Sequence, residues 1–229
     1  MKSRVEPLAP RDAYELWAAT YPPFAHNPLM RVEQDVVGPL LAQLRAARAL
    51  DVGTGSGRYL PLLASTGAGA VVGLDFSMAM LARGTAEHHG GAVRRVCADA
   101  TRLPFRRGAF DLVNASLMVG DVDDLGRWCR EMARVLSMGG HLVYSDFHPS
   151  WAQHGWSRTF RGADGAMREI PFHSHSIDDH LTALGEAGFH VTAIREPRFT
   201  EDGDPEVKAF RRRWRNPRVV VVFHVVKEK

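Results

Sequence analysis

Ala49-Leu50-Asp51-Val52-Gly53-Thr54-Gly55-Ser56-Gly57-Arg58 is the stretch whose reading decides the fold. An apolar run ends in an acid, a glycine-rich turn follows, and Tyr59-Leu60-Pro61-Leu62-Leu63 resumes an apolar pattern. That order reads as strand, tight turn, helix. Glycines at 53, 55 and 57 let the backbone take positive φ and let a ligand approach without meeting a Cβ. The helix that follows aims unpaired amides at whatever sits over the turn. A dinucleotide fingerprint needs its third glycine where this chain has Arg58, and the Gly-Lys-Ser/Thr ending of a phosphate loop is absent.

Outward from the turn, strands and helices alternate. Ala49 to Val52 is a first strand and Arg58 to Ser65 its helix; Ala70 to Asp75 is a second strand, followed by a helix from Ser77 to His88 with Ser77 as N-cap. Val93 to Ala98, Phe110 to Ala115 and Gly140 to Phe147 are further strands, with a helix over Asp123 to Leu136. Ser176 to Ala187 reads as a helix, and Phe189 to Arg195 and Val219 to Val226 as the last strands. Such alternation predicts a doubly wound α/β sheet with ligands outside the carboxyl ends of its strands, at the switch point.

Upstream, Pro10-Arg11-Asp12 starts a helix that Tyr21-Pro22-Pro23-Phe24 breaks. A second, amphipathic helix runs from about Pro28 to Ala46 with Leu29, Val32, Val36, Leu40 and Leu44 on one stripe. Without an evident linker or repeat, one domain is expected: a helical cap (1–46), a cofactor-binding core (47–147), an irregular aromatic and histidine-bearing insert (148–175) and the C-terminal part of the sheet (176–229).

Composition bounds the function. The 229 residues are 45% hydrophobic and 24% charged, an ordinary globular balance. Two cysteines fit a reducing compartment, and with no membrane-length apolar run and no leader pattern the expected location is the cytoplasm. A net charge of +3 is too small by itself to argue for a nucleic-acid partner.

Acids at strand ends are the first candidate ligands of a nucleoside-bearing group. Asp75 ends the second strand eighteen residues after Gly57 and can accept both ribose hydroxyls, or serve only as an acid at a helix start. Asp99 can accept the adenine amine while the Ala100 amide donates to the ring; the structural alternative is a turn aspartate. Phe76 and Met80 flank that slot or pack the core, and Asn114-Ala115-Ser116 ends the fourth strand at the same rim.

Taken together, LDVGTGSGR, GLDFSMAML, ADATRLPF and the run from Phe110 to Phe147 resemble class I S-adenosylmethionine-dependent methyltransferases of the small-molecule type, over about residues 28 to 147. They are similar to the ubiquinone/menaquinone and biotin-synthesis group. The resemblance implies a Rossmann-like seven-stranded mixed sheet with an antiparallel final strand, and S-adenosyl-L-methionine as cofactor. It also implies Asp51, Gly53, Gly55 and Gly57 at the methionine end, with Ala115 nearby, Asp75 on the ribose and Asp99-Ala100 on adenine. Asp12 to Tyr21 resembles the Y-x-x-W-A-x-x-Y lead-in of many relatives, which implies Tyr14 and Tyr21 as a lid on the cofactor. Asn114-Ala115-Ser116-Leu117 departs from the (N/D)-P-P-(Y/F) turn of enzymes that methylate base amines, which argues against such substrates.

The expected activity is methyl transfer to an oxygen or nitrogen of a small molecule, with substrate approaching from the cap and the insert. His148, just after the fifth strand, is the first candidate for a general base and His173 the second, against the alternative that both fill a loop. A metal site through His148, His173 and His175 lacks the acids and spacing of a recognisable one, so none is expected. Trp151, Trp156 and Phe160 can wall a planar substrate or anchor the insert. The Arg211-Arg212-Arg213-Trp214-Arg215 run reads as a solvated connection, and it keeps open a tRNA or protein substrate. A non-catalytic cofactor-binding module is the remaining alternative, and monomer and homodimer are both open.

Overall fold

The computed structural model describes residues 6–84, 93–153, 155–200, 205–215 and 217–228. The expected helix end at His88 lies outside them, as does His154 of the insert. In chain order the elements are β1 (Glu6–Pro7), α1 (Pro10–Trp17), α2 (Pro28–Ala42), β2 (Arg48–Val52), α3 (Leu60–Ser65), β3 (Ala70–Asp75), α4 (Met78–Arg83) and β4 (Val93–Cys97). They continue with β5 (Phe110–Ser116), α5 (Leu125–Val135), β6 (Leu136–Phe147), α6 (Ser150–Gln153), β7 (Arg158–Arg161), β8 (Met167–Ile170), α7 (Ile177–Glu186), β9 (Phe189–Arg195), α8 (Pro205–Trp214) and β10 (Val220–Lys227).

Seven strands form one sheet in the order β4-β3-β2-β5-β6-β10-β9, parallel except for β10, which runs antiparallel to both neighbours. The chain therefore winds outward from β2 in two directions, and the switch point falls between β2 and β5, above the glycine turn. This is the α/β architecture and the antiparallel final strand expected from the motifs.

Adjacent strand residues bury on opposite faces, so each strand serves two cores. Leu50, Val113, Tyr144 and Phe223 face Trp128 and Met132 of α5, while Ala49, Leu112, Val143 and Val222 face Val37 and Leu41 of α2 and Leu60 and Leu63 of α3. Ser77 caps α4 as expected, its hydroxyl accepting the Met80 amide at 3.1 Å.

Two expectations shift. On α2 the buried face is Met30, Glu33, Val37 and Leu41; the anticipated leucine and valine stripe packs beside it, half-buried. The insert is not irregular: β7 and β8 form a hairpin, and β1 adds to β8 in parallel through Glu6↔Arg168 and Pro7↔Glu169. Ala13, Phe160 and Ile170 close the core of this small sheet, with Leu8, Tyr14 and Trp17 packed against it. The arginine run lies, as expected, in the connection between the last two strands, where Arg211 to Arg213 fall in the last turn of α8. Among the described residues no helix is long and apolar enough to cross a membrane.

Candidate active site

The turn after β2 is pinned from both sides of the switch point. Gly53 and Gly55 take φ of +68° and +55°, a region that favours glycine. A Cβ on Gly53 would lie 2.7 Å from Met118 Cβ. The Thr54 amide donates to the Leu74 carbonyl at 2.9 Å, and the Gly55 amide donates to Asp75 Oδ2 at 2.8 Å. Asp75 Oδ1 accepts the Ser77 amide at 2.9 Å, so one carboxylate joins the turn to the start of α4. Burial pushes the Asp75 carboxyl up to about 6 despite those two amides.

Asp51 lies deeper. Its Oδ2 accepts Thr54 Oγ1 and its Oδ1 accepts Asn114 Nδ2, both at 2.6 Å, and burial raises it to about 6. The acid at the end of β2 therefore braces the turn and ties β2 to β5 across the switch point.

Around this turn lies a cavity of about 80 Å³ lined by residues that include Gly53, Gly55, Asp75, Phe76, Met80 and Ala100. Tyr14, Tyr21, Arg58, Ser116, Met118 and Asp121 complete much of its wall. Several sequence-predicted residues thus converge: Gly53, Gly55, Asp75, Phe76, Met80, Ala100, Tyr14 and Tyr21 share one space. Others do not reach it. Asp51 and Gly57 support the turn from below, and Ala115 is fully buried in β5 while Ser116 lines the space instead. Asp99 is exposed, its Oδ1 accepting the Thr101 amide at 2.7 Å and the Thr101 hydroxyl at 2.8 Å.

The donor set fits an adenosyl group: a carboxylate for hydroxyls, glycines that admit close backbone approach, and apolar Leu74, Phe76 and Met80 beside a small residue, Ala100. The free volume is well below the few hundred Å³ that ligand pockets usually offer, so Tyr14, Tyr21 and Met118 must yield for such a group to enter.

A second cavity of about 380 Å³ shares Tyr14, Tyr21, Met30 and Leu117 with the first. Trp17, Phe147, Trp156 and Phe199 supply its aromatic wall, and Arg158, Asn27, Ser157 and Thr159 its polar groups. Trp17 stacks on Phe160 with centroids 5.0 Å apart, which fixes the cap against the insert. Trp151 stays out of this cavity, buried with its indole N–H donating to the Val219 carbonyl at 2.9 Å.

A charged cluster stands where the two cavities meet. Tyr14 donates its hydroxyl proton to Asp121 Oδ2 at 3.1 Å, and Arg158 Nη1 donates to the Tyr14 oxygen at 3.2 Å. Arg158 pairs with Asp121 through both terminal nitrogens. Asp146, buried beside them, is pushed up to about 7 by burial although Arg158 pulls it down. A second cluster anchors the cap. Fully buried Glu33 accepts the Tyr59 hydroxyl at 2.8 Å and the Ser145 hydroxyl at 2.7 Å, and pairs with Arg58 at 2.9 Å. Neither cluster was anticipated from the sequence: apart from Tyr14, each member looked like one more polar residue of a helix, turn or strand.

The two histidine bases expected from the sequence line neither cavity. His148 Nδ1 accepts the Ser150 amide at 3.2 Å, and Nε2 donates to Glu196 Oε1 at 2.9 Å. Burial lowers its pKa, and both nitrogens hold the start of the insert rather than face a substrate. His173 is exposed, stacked on His175 at 6.3 Å, and its amide donates to the Gly120 carbonyl at 2.8 Å. Among the described residues no three His, Cys, Asp or Glu are grouped to hold a metal.

Comparison with known proteins agrees with this geometry. Residues 50–144 match the family described as methyltransferase domain. The demethylmenaquinone methyltransferase of Mycolicibacterium gilvum is 43% identical over 102 residues, which are 44% of this chain and 42% of that protein. The biotin biosynthesis bifunctional protein BioHC of Cellvibrio japonicus is 38% identical over 112 residues, covering 48% of this chain and 22% of that protein. The chain thus spans less than half the length of these curated relatives. Among solved structures, an S-adenosylmethionine dependent methyltransferase from Mesorhizobium loti superposes with a TM-score of 0.71 at 24% identity, covering 86% of this chain and 98% of that one. At that identity the likeness shows the fold.

Proposed function

We propose that the chain, whose residues 50–144 match the methyltransferase domain family, is an S-adenosylmethionine-dependent methyltransferase that moves a methyl group to an oxygen or nitrogen of a small aromatic molecule seated between the cap and the insert. The observation that carries this is the shared wall: Tyr14, Tyr21, Met30 and Leu117 border both the cavity over the glycine turn and the aromatic cavity beside it.

When bound, the cofactor supplies an electrophilic methyl group on a sulfonium. The rest is the work of this chain. Asp75 and the close backbone of the glycine turn hold the nucleoside end, while Phe76 and Met80 give it an apolar flank. Trp17, Tyr21, Phe147 and Trp156 confine a planar ring and exclude water from the space behind it. Among the described residues this second cavity has no histidine and no carboxylate in its lining. Alignment of acceptor and methyl is therefore the main source of rate, where positioning can supply several kcal/mol. Tyr14, with its proton held toward Asp121, presents an oxygen at the boundary of the two spaces. Of the curated relatives, the demethylmenaquinone methyltransferases are named for a ring-bearing acceptor, and the aromatic wall suits an acceptor with a ring.

The test is direct. Titration calorimetry with S-adenosylhomocysteine should give a Kd in the micromolar range, and incubation with labelled cofactor and a panel of phenols, hydroquinones and aromatic amines should transfer label. No heat at high micromolar ligand, or labelling of aliphatic acids in preference to every aromatic, would remove the proposal.

A further inference from the structure

Arg158 opens β7, and its pairing with Ile170 of β8 fixes the backbone at the rim of the aromatic cavity. The residue is 5% exposed. Four of its hydrogen-bond partners are accounted for. Nη1 donates to the Tyr14 oxygen at 3.2 Å and to Asp121 Oδ2 at 3.3 Å; Nη2 donates to Asp121 Oδ1 and to the Pro171 carbonyl at 3.3 Å. Nε is buried and meets no acceptor among the described residues. A guanidinium has five N–H donors, and leaving one buried without a partner is costly. The Tyr14 and Phe147 rings lie 5.8 Å and 5.9 Å from the guanidinium carbon, and the residue lines the aromatic cavity with its Nε–H unmatched.

The charge around it limits what that ligand is. Asp121 already balances Arg158, and Asp146 stands close by as a second acid. A further anion would be buried without an uncommitted cation to meet it, which is expensive. A neutral oxygen accepts one hydrogen bond and asks for no compensating charge.

We infer that Arg158 selects the substrate: the cavity takes aromatic molecules that carry a neutral ring oxygen, a carbonyl or a hydroxyl, and turns that oxygen toward the guanidinium. This rests on the reading that the cavity holds an aromatic acceptor. The ring lies against Trp17, Tyr21 and Trp156, and the oxygen takes the free N–H of Arg158 at the boundary of the two spaces. Lysine does not substitute, because its ammonium offers no planar fork to hold Asp121 and a ligand together.

The experiment is equilibrium dialysis near pH 7.5 of the full chain saturated with S-adenosylhomocysteine, against naphthalene, 2-naphthol and 2-naphthoate. The wild type should bind 2-naphthol about tenfold more tightly than naphthalene, the value of one charge-assisted hydrogen bond, and 2-naphthoate more weakly than 2-naphthol. In R158K that preference should fall to within about twofold. The double variant R158M/D121N removes both buried charges at once and should lose it too. The preference is a ratio within each variant, so a change in overall stability does not mimic its loss. Equal wild-type affinity for naphthol and naphthalene, tighter binding of naphthoate, or a preference that survives in R158K and in the double variant would overturn the inference. If S-adenosylhomocysteine binds and none of the three aromatics does, the aromatic reading of the cavity fails and this inference with it. If S-adenosylhomocysteine does not bind, the fault lies with the cofactor assignment.

Discussion

Asp75 offers the sharpest prediction, because its chemistry changes with pH. The carboxyl is pushed up to about 6 by burial, while the Gly55 and Ser77 amides hold it back. A ligand whose hydroxyls donate to Asp75 needs the ionised acid. Affinity should therefore be present above about pH 6 and be lost as pH falls through it. At pH 5 roughly one-tenth of the acid is ionised, so Kd for S-adenosylhomocysteine should be about tenfold weaker than at pH 8. Asp75→Asn should weaken binding at pH 8 by about 1–3 kcal/mol and flatten the profile. Stability moves the other way. The folded state holds this proton more tightly than the unfolded chain, so the acid's contribution is most favourable below about pH 4 and declines as pH rises through 6. The total for such a shift is about 3 kcal/mol. Asp75→Asn escapes that cost above pH 6, offset by about 1–3 kcal/mol for the one amide that loses its acceptor. Calorimetric titration from pH 5 to pH 8, with thermal melts of the same samples, reads both effects. A wild-type Kd that is flat with pH, together with an unchanged Kd in Asp75→Asn, would refute the placement of Asp75 on the ligand.

Three further outcomes follow from the contacts described. Gly53→Ala forces a side chain into a left-handed φ with its Cβ 2.7 Å from Met118; S-adenosylhomocysteine affinity should drop at least about tenfold with a strain cost of about 1–3 kcal/mol, and near-native affinity would show that the turn is not fixed as described. Glu33→Ala strands Arg58 and two hydroxyls; urea unfolding should show a loss of about 3–5 kcal/mol, and a loss under about 1 kcal/mol would mean the cap is held by other means. His148→Ala should cost about 1–2 kcal/mol of stability through its lost bonds to Ser150 and Glu196, yet leave turnover within about twofold; a hundredfold fall in turnover at unchanged substrate affinity would restore it as a base.

The parallel sheet was legible because its signals are local. Glycines at 53 and 55, the acid at 75 and the hydroxyl cap at 77 each have a mechanism confined to a few neighbours, and alternation of strands and helices supplies the winding. The cap and the insert were harder. Glu33 sits at a helical position where an acid ordinarily faces water, and its burial depends on Arg58, Tyr59 and Ser145, which come from other parts of the chain. The hairpin of β7 and β8 was read as irregular because arginines at 158, 161 and 168 break the apolar alternation that marks a strand. The histidines misled for the opposite reason. Their intrinsic pKa suggests proton transfer, but only the fold reveals that Glu196 and Ser150 already occupy both nitrogens of His148. Asp99 is a turn acid at the expected distance along the chain, with one oxygen taken by Thr101.

The three-stranded sheet of β1, β8 and β7 is assembled wholly from residues outside 50–144, the span shared with the methyltransferase family. It contributes no strand to the larger sheet, and meets the site through Arg158. The match to the methyltransferase domain family therefore covers the glycine turn and leaves out the small sheet that borders the aromatic cavity. Chemical selectivity cannot simply be borrowed from proteins aligned over the middle of the sequence, and exchanging the two outer segments together, rather than either alone, is the natural route to retargeting it.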